Sequence, residues 1–484
     1  MITRERVEVF LLITLWSVLP MWGSLSSDGI AGSPYTDLYP SVWSLWATES
    51  WWGTWNNIWF GHPTGQPWSP STVFWGTLII PLKPLMSMGS LYNTCLLFNR
   101  VLSCIAFYMA GRSYHNSHTT GLLWMVVIAM NPMIHGFAVE GIIEGTQIWP
   151  LGFWMWASKK ELRGLSVVFG SLIVLSNWYW SIVWVIVGGF SHHQNRKVWG
   201  WMLMSILVCS PWIGHFLNIQ SNGIEIPPEI YRAMGFQFGI PEPHFQSPPN
   251  PFAQSNYIGW ILSACTIHQV SKHFRSNTLL LIGIGFLLSI GFESMQSVPI
   301  IGSMRFPYRM CLLTFIGISM VLSELGDKQK IGLSIFVLLE FALLSPIDLV
   351  IPTSPSTYPD YTEEINGTVL ELPGVLNRAP GEIDPSRPRM KRLMYFQTKH
   401  AQPSVWGLPF NGLNQTSECF AGTRIVDPQA TPSEQSKPLN VECWDSIQWV
   451  VIHNNNTSLD TWLTELGFTK TSGNSTLPQL WSRP

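Results

Sequence analysis

The chain is short of charge. Of its 484 residues only 12% are Asp, Glu, Lys or Arg, about half the share of an ordinary soluble domain. The formal net charge of −2 provides no basic field, so nucleic acid is excluded as a partner on electrostatic grounds. The seven Cys include no CxxC pair and no Cys/His cluster at metal-ligand spacing, which argues against a zinc site and against a disulfide-built scaffold. No internal repeat period stands out.

What the chain has instead is apolar length. Runs rich in the 26 Trp and 25 Phe follow one another from Val7 to Val350, and the remainder is polar, with many Pro, Asn, Ser and Thr. The pattern predicts a membrane module over 1–350 followed by a soluble domain over 351–484. About eleven spans can be drawn. Arg4, Arg6, Arg112, Lys159, Lys160, Arg163, Arg196, Lys197, Lys272, Arg275, Lys328 and Lys330 all fall on the cytoplasmic side when the N-terminus is inside. That path requires 72–88, interrupted by Pro81, Lys83 and Pro84, to be re-entrant rather than spanning, and it requires 164–190 to be a hairpin turning at Ser176-Asn177-Trp178. It places the C-terminal domain outside the membrane. The N-terminal apolar run lacks a good cleavage site and reads as an anchor.

The outer segments carry the candidate chemistry. Segment 26–70 contains Asp28, Asp37 and Glu49, no Lys or Arg, and seven Trp. From Leu38, the spacing of Leu38, Val42 and Leu45 predicts a short amphipathic helix lying in the membrane interface, with Asp37 at its cap position. On one reading Asp37 does no more than cap that helix. It can equally act as a general base in a cleft walled by Trp43 and Trp46, whose faces would stack a sugar or isoprenoid. A second acidic loop holds His135, Glu140 and Glu144; the two Glu are spaced i, i+4, so they share one helix face, where like charges raise a pKa or attract a cation. Arg305 and Arg309 in SMRFPYRM break the positive-inside trend and suit a lipid phosphate, although snorkelling to headgroups would also explain them. Arg100 sits in mid-span and calls for a partner, with Glu340 the candidate.

In the C-terminal domain, VLEL and WVVIH read as strands and RMKRLMYFQTKH and SLDTWLTEL as helices, which predicts a small α/β unit. Its only two cysteines, Cys419 and Cys443, are candidates for a disulfide in an oxidising compartment. Sequons beginning at Asn366, Asn414, Asn455, Asn456 and Asn474 all lie on the side placed outside.

Several stretches, in their order along the chain, resemble the GT-C superfamily of polytopic glycosyltransferases, in an uncharacterised bacterial or archaeal branch. They are DLYPSVW after the first span, YNTCLLFNRVLSCIAFYMAGR, NPMIHGF…EG…IWPLGFW, SNWYWSIVW and RFPYRM. The resemblance extends to TVLELPG, RLMYFQTKHAQPSVWG and WVVIHNNN in the soluble part. It implies a polytopic helical module with an extracytoplasmic α/β domain in the plasma membrane. It also implies inverting transfer from a polyprenyl-phosphate sugar to a hydroxyl of a glycan, lipid or protein acceptor. Asp37 matches the position of the catalytic base, with Asp28 the second choice, and Arg305 and Arg309 would hold the donor phosphate. The chain departs from the family pattern in having no Asp-x-Asp or adjacent acidic pair in the first loop, which leaves a divalent ion (Mg or Mn) on the donor open; Glu140 or Glu144 would then supply a second carboxylate. The alternatives from other classes are a flippase for lipid-linked saccharides and a non-catalytic scaffold of the same fold.

Overall fold

A computed structural model of the chain describes residues 4–34, 36–52, 54–59, 66, 67, 70, 72–221, 258–272, 276–291, 307–345, 347–372, 387–403, 447–452, 460, 463–471 and 479–483. They fall into two compact units. The first comprises Met1–Ser41, Ser71–Gly214 and Glu225–Ser356, the second Val42–Pro70, His215–Ile224 and Thr357–Pro484. Segment 42–70, expected in the module over 1–350, lies in the unit that holds the C-terminal residues.

The first unit is helical. It opens with α1 (Arg4–Ser17) and α2 (Trp22–Leu25), followed by the short strand β1 (Ile30–Ala31) and the start of α3 (Leu38–Trp51). β1 pairs antiparallel with β4 (Thr353–Ser354), Ile30 opposite Ser354, and Asn93 secures this return of the chain. Its Oδ1 accepts from Ala31 N–H at 2.8 Å, and its amide donates to Gly29 O at 2.9 Å and Ser24 O at 3.3 Å. α4 (Val73–Leu78) and a 3-10 turn at Ile80–Leu82 occupy the segment expected to be re-entrant; Pro81 and Pro84 keep it from continuing as helix.

α5 (Met88–His115) is the long central helix, begun by Ser87, whose side chain accepts from Ser90 N–H. Next come α6 (His118–Trp124), a π-helical turn at Met125–Ala129, α7 (Pro132–Val139), α8 (Ile143–Thr146) and α9 (Trp149–Lys159). The expected hairpin is present as α10 (Arg163–Ser176) and α11 (Trp178–His192). Asn177 is extended between them, and its side chain accepts from Tyr179 N–H at 2.9 Å. α12 (Arg196–Val208), α13 (Ser210–Ser221), α14 (Trp260–Lys272), α15 (Ser276–Ile290), a 3-10 turn at Pro307–Met310, α16 (Cys311–Leu322) and α17 (Asp327–Leu344) follow.

Among the described residues, two stretches are long and apolar enough to cross a membrane, Arg4–Leu25 and Met88–His115. The count rises to four if two bent pairs each form one span: His118–Ala129 with Pro132–Val139, and Arg196–Val208 with Ser210–Ile219. The 22 and 28 residues of the first two correspond to about 33 and 42 Å of helix. The eleven expected spans are not seen as such, because many apolar runs are divided into helices of 11 to 15 residues, below the ~20 that a bilayer core requires.

The anticipated pair of Arg100 and Glu340 does not form. Arg100 is buried, donates to Trp16 O, meets His135 Nδ1 at 3.1 Å and lies over the Trp16 ring. Glu340 instead accepts from the first N–H groups of α14, those of Trp260 and Ile261, the latter at 3.1 Å, a carboxylate on a helix N-terminus. Gly259, at φ +93, makes room for it, since a Cβ there would come within 2.8 Å of Glu340 Oε2.

The second unit contains a four-stranded mixed sheet ordered β5-β6-β8-β7: β5 (Val369–Leu372), β6 (Trp449–Ile452), β7 (Thr469–Lys470) and β8 (Gln479–Ser482). β5 and β6 are parallel, which requires a crossover, and α18 (Arg387–His400) lies between them in sequence. Val369, Leu370, Val450, Val451, Ile452, Leu480 and Trp481 are buried from the sheet, and Met394, Tyr395 and Phe396 from α18. The α/β expectation for this part therefore agrees with the described residues. A two-stranded ribbon, β2 (Asn56–Asn57) with β3 (Gln66–Pro67), also belongs to this unit.

Candidate active site

Four parts of the first unit converge on a small set of charged and aromatic side chains. The first is the approach to α3. Ser33 N–H donates to Val139 O at 2.7 Å, Thr36 Oγ1 to Glu140 O at 2.6 Å and Asp37 N–H to Glu140 O at 3.2 Å. Asp37 O then accepts from Ser41 N–H at 2.9 Å, opening the helix. The Asp37 backbone is thus fixed against the end of α7, and its side chain is half-buried.

The second part is α7 and α8. Asn131 caps α7, accepting from Ile134 N–H at 2.9 Å, and Pro132 stands at its first turn, a pairing suited to helix starts. Glu140 ends the helix, and Gly141 turns the chain at φ +72. A side chain at Gly141 would meet Leu38 Cα at 2.5 Å, so glycine is what lets α3 start directly on this turn. α8 then carries Glu144, whose carbonyl accepts from Trp180 Nε1 at 3.1 Å.

The third part, the N-terminus of α11, supplies Tyr179 and Trp180. The fourth, the 3-10 turn, supplies Tyr308 and Arg309, both buried. Arg309 Nη2 stands 3.6 Å from Glu144 Oε1, and the guanidinium lies over the rings of Phe137 at 5.2 Å and Tyr179 at 4.9 Å. Burial pushes the Glu144 carboxyl above the usual carboxylate range; Arg309 opposes that shift, and the nearby Asp37 charge adds to it. Glu140 is buried and within electrostatic reach of Tyr308. Asp37, Glu140, Glu144 and Arg309 therefore form one cluster.

The remaining expected residues lie elsewhere. Asp28 is exposed, and its backbone carbonyl accepts from Ser356 Oγ. His135 is buried between Arg100 and the carbonyl of Asp348, 2.9 Å from Nε2, with Trp16 against its ring, so it belongs to a packing network. Trp43 and Trp46 belong to the second unit. Trp43 is 1% exposed and donates from Nε1 to Gln397 at 2.7 Å, so its face is enclosed rather than offered to a ligand; Trp46 packs on Trp59 at 4.7 Å. α3 is largely buried rather than laid in an interface, which accounts for the difference. Arg305, Cys419 and Cys443 lie outside the described residues. Phe137, Tyr179, Tyr308 and Gly141 were assigned no role from the sequence, although each falls within a motif that carried the family resemblance. No group of three His, Cys, Asp or Glu side chains among the described residues could hold a metal ion.

No protein-family model matches the sequence, and no curated protein matches it significantly. Among solved structures, the arabinofuranosyltransferase AftD from Mycobacteria superposes with a TM-score of 0.53 at 14% identity, over 99% of this chain and 40% of that one. The chain therefore shares its fold with that arabinofuranosyltransferase structure. The chain thus spans about two fifths of the length of the AftD structure. The apo oligosaccharyltransferase of Archaeoglobus fulgidus gives a TM-score of 0.48 at 10% identity, over 92% of this chain and 68% of that one. Within this fold, the acidic and arginine-bearing cluster gathers chemically competent groups among the described residues.

Proposed function

We propose that the chain is an integral-membrane glycosyltransferase that moves a sugar from a polyprenyl-phosphate donor to an acceptor hydroxyl. The observation that carries the reading is the hydrogen-bonded placement of Asp37 on the α7 turn, beside the Glu144–Arg309 pair. In this reading the Asp37 carboxylate takes the proton of an acceptor hydroxyl. The resulting oxygen attacks the anomeric carbon, the bond from that carbon to the phosphate oxygen breaks, and the lipid phosphate leaves against the Arg309 guanidinium with inversion. Phe137 and Tyr179 hold the guanidinium in place. Arg305 is the proposed second phosphate ligand. A glycan, lipid or protein can supply the acceptor hydroxyl. No step is routed through Mg or Mn: among the described residues Arg309 is a cation beside Glu144, and no group of three His, Cys, Asp or Glu side chains there could hold a metal ion. In this reading, which the positive-inside distribution of Lys and Arg supports for the orientation, the reaction takes place on the outer face of the plasma membrane with the C-terminal domain outside.

Arg100 and Glu340 are the polar groups in mid-span that a flippase for lipid-linked saccharides would use. Both are engaged in holding helices, which favours transfer over transport. The test is sugar release from labelled polyprenyl-phosphate donors in proteoliposomes. Wild type should turn over a donor, and Asp37→Asn should lose about 10²-fold or more of that rate while folding normally. Equal rates would leave the scaffold or flippase reading.

A further inference from the structure

We infer that Glu144 is a displaceable stand-in for the donor phosphate on Arg309, and that donor binding moves Glu144 off the guanidinium with uptake of a proton from solvent onto its carboxylate. This rests on Arg309 being the donor-anion residue, as proposed above.

The geometry carries the inference. The Arg309 guanidinium is covered by the rings of Phe137 and Tyr179, so an anion has to approach its N–H edges, and Glu144 stands at one of them. The separation of 3.6 Å is longer than the 2.7–2.9 Å of a charge-assisted hydrogen bond. The pair is loose, and a phosphate oxygen can form the shorter bond. Arg309 is 4% exposed, in surroundings where an uncompensated charge is costly; a neighbouring carboxylate keeps it neutralised until the donor arrives.

The charge balance sets the sign of the pH effect. Glu144 is faced by Arg309 from the 3-10 turn, by Asp37 from the approach to α3 and by Tyr92 from α5. Tyr308 and Tyr179 face Arg309, and Glu140 faces Tyr308. When a phosphodiester takes the guanidinium, Glu144 loses its cation and gains a second anionic neighbour besides Asp37. Both changes favour the protonated carboxyl, so affinity rises as pH falls, by up to about tenfold per pH unit where a full proton is taken up.

The probe is farnesyl methyl phosphate, which carries the donor's phosphodiester without a sugar and does not itself titrate between about pH 6 and 8. Calorimetric titration of the full chain in lipid nanodiscs, in two buffers of different ionisation heat, counts the protons directly. Wild type should take up protons and bind more tightly toward about pH 6. Glu144→Gln should take up none, show a flat pH profile and bind about tenfold more tightly than wild type at about pH 8. Glu144→Asp, which restores the carboxylate, should restore the uptake. Binding by wild type without proton uptake, or uptake that persists in Glu144→Gln, overturns the inference while leaving Arg309 as the anion site. Absence of wild-type binding, or equal binding by Arg309→Ala, overturns the donor-anion reading and this inference with it.

Discussion

Replacing Gly141 with Ala tests whether the Asp37 position depends on the glycine turn. Gly141 has φ +72, and a Cβ there would stand 2.5 Å from Leu38 Cα, 2.6 Å from Leu38 Cβ and 3.0 Å from Leu38 N. The left-handed conformation costs a non-glycine residue about 1–2 kcal/mol, and overpacking against backbone adds about 1–3 kcal/mol. Leu38 cannot swing aside as a long side chain would, because the clash is with its backbone. The structure yields by moving the start of α3 away from Glu140, and Asp37 moves with it. A displacement of the order of 1 Å at a catalytic group lowers a rate by about 10²-fold. Gly141→Ala should therefore lose about 2–5 kcal/mol of stability and a transfer rate out of proportion to the folded fraction, read by thermal unfolding and by donor turnover in proteoliposomes. Gly332→Ala, in α17 with nothing within 4 Å of a Cβ, is the control and should be neutral or slightly stabilising. A Gly141→Ala protein with wild-type turnover and unfolding temperature would refute the idea that this contact sets the position of Asp37.

Three further predictions concern how the first unit is held. Asn177→Ala removes the acceptor for Tyr179 N–H and should cost about 0.5–2 kcal/mol, visible as a lower unfolding temperature, whereas Asn177→Asp should keep most of the cap. Asn93→Ala removes three hydrogen bonds to the β1 region and should cost about 2–4 kcal/mol; a loss below ~0.5 kcal/mol would mean that β1 is held by other contacts. Arg100→Met and Glu340→Gln should be additive within about 0.5 kcal/mol in a double-mutant cycle, because the two side chains serve different partners; a larger coupling would revive the direct pair.

The legible parts of the sequence were those in which local chemistry decides the outcome. The Asn177 break, the Pro-interrupted segment after Thr72, the helix beginning after Asp37 and the strands VLEL and WVVI all follow from caps, proline geometry and β-branched runs. Arg309 and Glu144 were singled out separately, but nothing in their positions, 165 residues apart, indicates that they meet; only the folded chain brings them to 3.6 Å. His135, Glu140 and Glu144 lie within ten residues of one another, yet His135 turns to Arg100 and Asp348 while Glu144 turns to Arg309. Proximity in sequence was misleading there because α7 and α8 are separate helices with Gly141 between them. Trp43 was misread for a related reason: a tryptophan-rich segment shows that large rings must be placed somewhere, and whether a ring walls a cleft or fills a core depends on partners such as Gln397.

The difference between the eleven expected spans and the two to four found among the described residues has the same cause as the location of the site. A helix interrupted in an apolar setting exposes backbone N–H groups that lipid cannot satisfy, so each interruption needs a side-chain acceptor. The interruptions at Asn131 and Asn177 supply one within the sequence, to Ile134 and Tyr179, and Glu340 supplies one to α14 from another helix. At Asn177 the break is legible in the sequence, but the halves it leaves, 14 and 15 residues, are each shorter than a span requires. Yet the interruptions allow short helices to end inside the module, and their ends are where Glu140, Tyr179 and the turn carrying Glu144 are held. A chain of uninterrupted spans would present only side-facing groups there. The capped breaks that confound a count of spans are the same features that bring an aspartate, a glutamate and an arginine from distant parts of the sequence into one cluster.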